Sequence, residues 1–550
     1  MDGAASAQNI GTDERLVEEA AVDSLFGKFL AGRYARARGD LTAAAGYFED
    51  ALSADPGSEL LRYRTYRMLL AADRFTDAVA LASMVAGIES DRGQALLVLV
   101  VDALNRNDIE AAAGFAERLP SDGLNALLRP VVTAWIRVAQ GKPEEARTAL
   151  EAMGRDSNFR AFQAMHRALI DDVIGDKAVA EESYRAMSRS RTTRSLRGIQ
   201  AFTNYLLRQD QRLEAEALFD EVVPPGAVSP LVLNAREKLR QSGTPVPFVA
   251  NTAEGIAEAL YGAARGLIQE GASEDAVVQT RLALQLRPDL QVAMSLLGNI
   301  FEGQRRWEDA YAAYAQIDPG SALGWSGRIR MATSLDRLGE TDEAMAILRA
   351  MADERPTRTD ALVSLADMLR FDRRWEEAVV EYDRAIDRLR MVTEADWQLL
   401  YSRGIALERS KKWVQAEADF LRALELQPDE ALILNYLGYS WVERGENLDR
   451  ARGMIEKAVD LRPRDGYIVD SLGWVLFQLG DFDEAVRQLE RAVSLRPADP
   501  VINEHLGDAY WRVGRRLEAK FQWQRALIFE PDEELIPVIE KKLTDGLDDI

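Results

Sequence analysis

Residues 466–480, GYIVDSLGWVLFQLG, and residues 481–497, DFDEAVRQLERAVSLRP, decide the fold. In both stretches apolar residues return at three and four positions, the mark of two amphipathic helices joined by a tight turn. Leu472 and Gly473 fall on the inner face of the first helix, and Ala485, Leu489 and Ala492 on that of the second. Small residues stand there because the paired helices approach too closely for larger side chains. Pro497 follows the second helix, and Pro531 stands in the same place in the next unit. A ring without an N–H stops helical continuation at both.

Outward from this pair, the small residue recurs as Ala264, Gly298, Ala332, Ala366, Gly404, Gly438, Gly473 and Gly507, at steps of 34, 34, 34, 38, 34, 35 and 34. Alanines at 276, 310, 344, 378, 416, 451, 485 and 519 keep the same beat. A weaker comb runs through Ala44, Ala78, Ala112, Ala146, Ala180 and Ala215. Its first unit, 25–58, holds Gly32, Tyr34, Phe48, Ala51 and Pro56, whereas Tyr66 and Val100 stand where a small residue is expected. A fixed period means one supersecondary unit stacked on copies of itself. The expected fold is therefore all-α: a right-handed α-solenoid of about fourteen helix-turn-helix repeats in two arrays. The Ala215–Ala276 step is not a multiple of the period, and Pro224, Pro225, Pro230, Pro245 and Pro247 fall inside it around a short helical stretch at 231–240. The expected organisation is an N-terminal tail or cap (1–24), a six-unit array (25–222), a proline-containing linker (223–256), an eight-unit array (257–533), and a capping helix with an acidic tail (534–550).

The landmarks Leu506, Gly507, Tyr510, Ala519, Trp523, Ala526 and Pro531 recur in register, and the unit resembles the tetratricopeptide repeat. Over residues 397–533 the chain is similar to the C-terminal repeats of bacterial tetratricopeptide proteins. Among these are lipoprotein adaptors of periplasmic carboxyl-terminal processing proteases. The resemblance implies a protein-binding role. It also implies a test, because the cochaperones of this family grip a C-terminal carboxylate with Lys, Arg and Asn on the concave face. Here that face carries Glu408, Asp470, Glu504 and Asp508, which points away from a carboxylate clamp and towards a basic or apolar partner.

Composition narrows the rest. There are 68 basic and 90 acidic residues, for a net charge of −22, which disfavours a general nucleic-acid role. Arg185, Arg189, Arg191, Arg194 and Arg197 form a local basic cluster, read as solvated side chains on a turn between helices. Without cysteine there is no disulfide, thiol chemistry or lipid-attachment cysteine. No run approaches the length of a membrane span. The expected location is the cytoplasm as the sequence stands, or the periplasm if an upstream leader is missing. His166 and His505 are the only histidines, so His-based metal sites and Ser-His triads lack their parts. No cofactor or metal is expected. Glu144-Glu145 and Glu376-Glu377 are read as acids opposing a helix N-terminal dipole.

What remains is surface. The first helices should line the concave side, with the positions around each small residue facing outward. The candidate groove is Tyr401, Asn435, Tyr439, Tyr467, Asp470, Trp474, Phe477, Glu504, Asp508 and Trp511, aromatics mixed with acids as a protein-binding groove requires. The competing reading is that Trp474 and Phe477 pack between repeats. Function is expected to be that of a non-catalytic scaffold or adaptor binding a protein or peptide. The alternatives are an envelope adaptor delivering substrates to a protease, and an enzyme with a carboxylate site that sequence does not reveal.

Overall fold

Helix pairs succeed one another along the chain at the spacing of the small residues. The computed structural model describes residues 24–87, 92–153, 159–223, 245–321 and 323–547, with Val232, Ala235, Arg236 and Leu239 between. Among these every regular element is a helix, and none is long and apolar enough to cross a membrane. Two compact units are formed, Met1–Ala344 and Met345–Ile550.

In the second unit the pairs include Trp397–Arg409 with Trp413–Leu426, Ala431–Glu443 with Leu448–Leu461, Gly466–Gln478 with Phe482–Leu495, and Pro500–Arg512 with Arg516–Ile528. The close approach of each pair is visible at its small residue. A Cβ on Gly473 would lie 2.5 Å from Leu489 Cγ, one on Gly404 2.6 Å from Phe420 Cε1, and one on Gly507 would strike the Trp523 indole. The turn inside each pair places one residue in the left-handed region. Gly480 has φ +82°, its N–H donates to Phe477 O at 3.0 Å, and the Asp481 N–H donates to Leu476 O at 2.9 Å. That is a Schellman turn, which satisfies carbonyls the ended helix leaves open. Asp481 then caps the second helix, its carboxylate accepting from the Glu484 N–H.

The same left-handed position recurs at Gly39, Asp73, Asn107, Gly141, Gly175 and Asp210, then at Gly271, Arg305, Gly339, Arg373, Lys411, Gly445, Gly480 and Gly514. Among the described residues it falls at the turn inside each of these helix pairs, six before the proline-rich interval and eight after it.

The first unit forms pairs despite its eroded landmarks. Tyr66 and Val100 are fully buried, and the helix packed against Tyr66's own, Phe75–Val85, buries Ala78 and Ala82. Bulk on one helix is thus matched by small residues on the next. Most of 224–244, including most of the expected short helix at 231–240, lies outside the described residues. Beyond it the helix Thr252–Gln269 packs on Gly123–Ala139, with Gly255 directly against the Trp135 ring. Ser273–Leu286 packs on Glu59–Ala71 and Arg92–Asn105, where Arg67 pairs with Asp275 at 2.8 Å. Arg36 of Leu25–Ala37 reaches Glu274 at 2.7 Å. One continuous buried apolar cluster accordingly runs from Ala35 to Ala293, across the interval.

The arginine cluster divides. Arg189 and Arg191 are exposed, as a solvated turn requires. Arg185 pairs with Glu181 and Glu214, Arg194 with Glu221, and Arg197 with the fully buried Glu258 at 2.5 Å, beneath the Phe248 ring. All three reach across the sequence, but only at Glu258 is the carboxylate buried and so in need of a partner charge; Glu214 and Glu221 stay partly exposed.

Candidate functional site

The first helices of the last repeats carry the candidate residues, and the structure sorts them into separate groups. Tyr401 lies in an aromatic patch with Phe420 at 6.0 Å, Trp397 at 6.3 Å and Tyr436 at 5.9 Å between ring centroids. Burial there raises its phenol pKa to about 12. Asn435, one residue from Tyr436, is half-buried, and its Oδ1 is buried without a hydrogen-bond partner. Tyr439, one turn on, is half-buried, and its phenol is shifted upward by burial, then by Glu443, Asp470 and Glu504. Tyr467 stands apart, half exposed, with the Arg496 guanidinium 4.8 Å above its ring.

Trp474, Asp470, Glu504 and Asp508 converge, and His505 is at their centre. The Trp474 indole stacks on His505 at 4.1 Å and on Phe477 at 5.0 Å, while its N–H donates to Glu443 at 2.6 Å. It thus bridges the preceding and following repeats, as the packing reading anticipates, and stays half-buried. Phe477 is buried and meets Phe482 edge-on. Asp470, Glu504 and Asp508 are each 6% exposed or less. They do not face water, because each is matched by a group from elsewhere in the unit. Asp470 holds His505 Nδ1 at 3.0 Å. Asp508 accepts from Trp523 Nε1 at 2.9 Å and from Lys542 Nζ at 2.6 Å, and Lys542 also pairs with Glu504. Trp511 packs against Trp523 at 5.3 Å, carries the Arg516 guanidinium 3.9 Å from its ring, and is covered by Gly546.

The electrostatics follow from burial. Desolvation alone would lower the His505 pKa, but Asp470, with Glu504 and Asp508 behind it, outweighs that and raises it to about 9. The imidazole is therefore a cation at neutral pH. Burial and the neighbouring Glu504 hold Asp508 above the usual carboxylate range, against the pull of Lys542. Desolvation would likewise lower Lys542, yet Asp508 and Glu504 raise it. Three carboxylates share two cations, so the site retains a negative excess. Among the described residues no cluster is arranged to hold a metal ion.

The pattern described as a tetratricopeptide repeat matches residues 401–466, and a second, described as a TPR repeat, matches 473–514. A TPR repeat-containing protein of Pseudomonas aeruginosa, PA4667, is 31% identical over 192 residues, 35% of this chain and 32% of that protein. Residues 401–466 and 473–514 thus carry tetratricopeptide repeats. The chain spans about a third of the length of that curated relative. Among solved structures, the APC/C hetero-tetramer Cut9–Hcn1 aligns at TM-score 0.40 with 13% identity, over 96% of this chain and 98% of that one. YrrB, described as a TPR protein with an unusual peptide-binding site, aligns at TM-score 0.28 with 20% identity, over 35% of this chain and 97% of that one.

Three site residues escape a reading of the repeat alone. His505 sits one residue before Leu506, at a position that usually only packs, and its neighbour Glu504 was the available hint. Glu443 enters from the repeat before Trp474. Lys542 belongs to the helix Ile536–Asp545, which follows the last repeat and keeps no register with it.

Proposed function

We propose that this chain is a non-catalytic scaffold that holds an extended segment of a partner protein along the first helices of residues 397–512. The observation that carries the reading is the buried, unpartnered Oδ1 of Asn435. A buried acceptor left open costs about 1–3 kcal/mol, and rotation of this half-buried side chain on binding would bring the oxygen to a backbone N–H of the bound segment. Tyr439, on the same helix, and Tyr401, on the first helix of the preceding repeat, offer apolar contact area, and the negative excess around Asp470, Glu504 and Asp508 favours a partner with basic and apolar side chains. The test is capture by the full chain, with the partner identified by mass spectrometry and its affinity then measured on the purified pair. Asn435→Ala with Tyr439→Ala should weaken that affinity at least tenfold with helix content unchanged. Full affinity in the folded double variant would place the binding surface elsewhere.

A second reading keeps the binding role and moves it to the cell envelope, with the chain delivering substrates to a carboxyl-terminal processing protease. Its support is the resemblance of residues 397–533 to such adaptors. Fractionation of cells expressing the gene from its own start decides between this and a cytoplasmic scaffold.

A further inference from the structure

The Ile536–Asp545 helix bears a lysine that enters the acidic site, and the means by which that helix is held are few. Ile539 is its one fully buried side chain. At ten residues it is shorter than an isolated helix needs to be stable in water. Leu535, Ile536 and Leu543 are only half-buried, and the two specific ties are Lys542, whose ammonium lies between Glu504 and Asp508, and Gly546, which lies on Trp511 so closely that a Cβ would penetrate the ring. Both ties fall on residues of the groove face. The site is built for an ammonium. Two carboxylates, 5% and 3% exposed, converge on one nitrogen, Asp508 is fixed from behind by Trp523 Nε1, and a third carboxylate is held by His505. With three carboxylates against two cations, the pocket favours a cation after Lys542 has left even more than before.

We propose that the acidic pocket of the last repeat is a binding site for a lysine side chain of a partner segment, and that Lys542 occupies it as a built-in competitor. In the resting protein the C-terminal helix closes this end of the groove. A partner bearing a lysine beside apolar residues displaces Lys542 and Gly546, takes the ammonium site, and uncovers the Trp511 indole. The inference rests on the scaffold reading for the existence of a partner, but its test does not need that partner.

The experiment uses the full chain, the variant Lys542→Gln, the neighbouring control Lys541→Gln, and a synthetic acetylated peptide, Ala-Leu-Lys-Leu-Ala amide. A second peptide carries norleucine in place of the lysine. Amide exchange over residues 535–547 should rise at least tenfold in Lys542→Gln and stay at the parent rate in Lys541→Gln. The lysine peptide should bind Lys542→Gln at least tenfold more tightly than the parent, and the norleucine peptide should bind neither. Gly546→Ala leaves every charge in place and pushes the tail off Trp511. It should also loosen the helix and tighten peptide binding, which keeps the inference testable should Lys542→Gln fail to fold. Equal peptide affinity in the parent and both variants overturns it, as does a norleucine peptide that binds as well as the lysine one. Those results leave the Asn435 test untouched, so the two readings fail separately.

Discussion

Gly480 and Lys411 hold the same left-handed backbone at equivalent turns, with φ +82° and +61°. A side chain in that conformation costs about 1–2 kcal/mol. Gly480→Ala should therefore destabilise the second unit by about 1 kcal/mol, read from the urea midpoint. Lys411→Gly should be neutral or stabilising by up to about 1 kcal/mol, because relief of strain is partly offset by the greater freedom of glycine in the unfolded chain. A second expectation concerns His505. Its folded pKa, about 9, lies above the ordinary 6.5, so the stabilisation from its charged form is complete below pH 6.5 and is lost as pH rises through about 9. Thermal stability measured from pH 6 to 10 should fall over that window, and His505→Gln should flatten the fall. A parallel fall in the variant would assign it to other groups.

At the scale of the element, each helix is started and stopped by short-range chemistry that the sequence displays openly. Asp499 accepts from the backbone N–H groups of Val501 and Ile502, both at 3.0 Å, ahead of Pro500 at the first helical position. Asp499→Ala should cost about 1 kcal/mol, measured by chemical unfolding, while Asp499→Asn should recover most of it. The acid pairs Glu144-Glu145 and Glu376-Glu377 do lie in the first turns of Pro143–Glu151 and Trp375–Asp387, as their position before the turn alanine implies. The C-terminal helix was also legible, at Ile536–Asp545, from the apolar residues after Pro531. Its engagement of Glu504 and Asp508 was not, since a capping segment repeats nothing and so offers no register from which to place Lys542.

At the scale of the whole chain, the packing of Gly255 on Trp135, and of Ser273–Leu286 on helices before residue 106, bears on where the chain can be cut. A fragment of residues 257–550 would strip those partners from the Thr252–Gln269 helix. It should melt at lower temperature, with more dye-accessible apolar surface, than a fragment of residues 341–550, which begins at a helix start and contains the second unit. A 257–550 fragment as stable as the shorter one would show that the packing across the interval contributes little. The sequence by itself determined the helix pairs, their period and the small residue at each crossing, because all three follow from spacings within about 34 residues that recur many times. It also nominated the face bearing Asp470, Trp474, Glu504 and Asp508. Only the tertiary structure decided that these acids are buried and already matched. Their partners, His505 and Lys542, lie in a different repeat from Asp470 or beyond the last one. A buried charge is defined by what reaches it through space, and no periodicity along the chain carries that information.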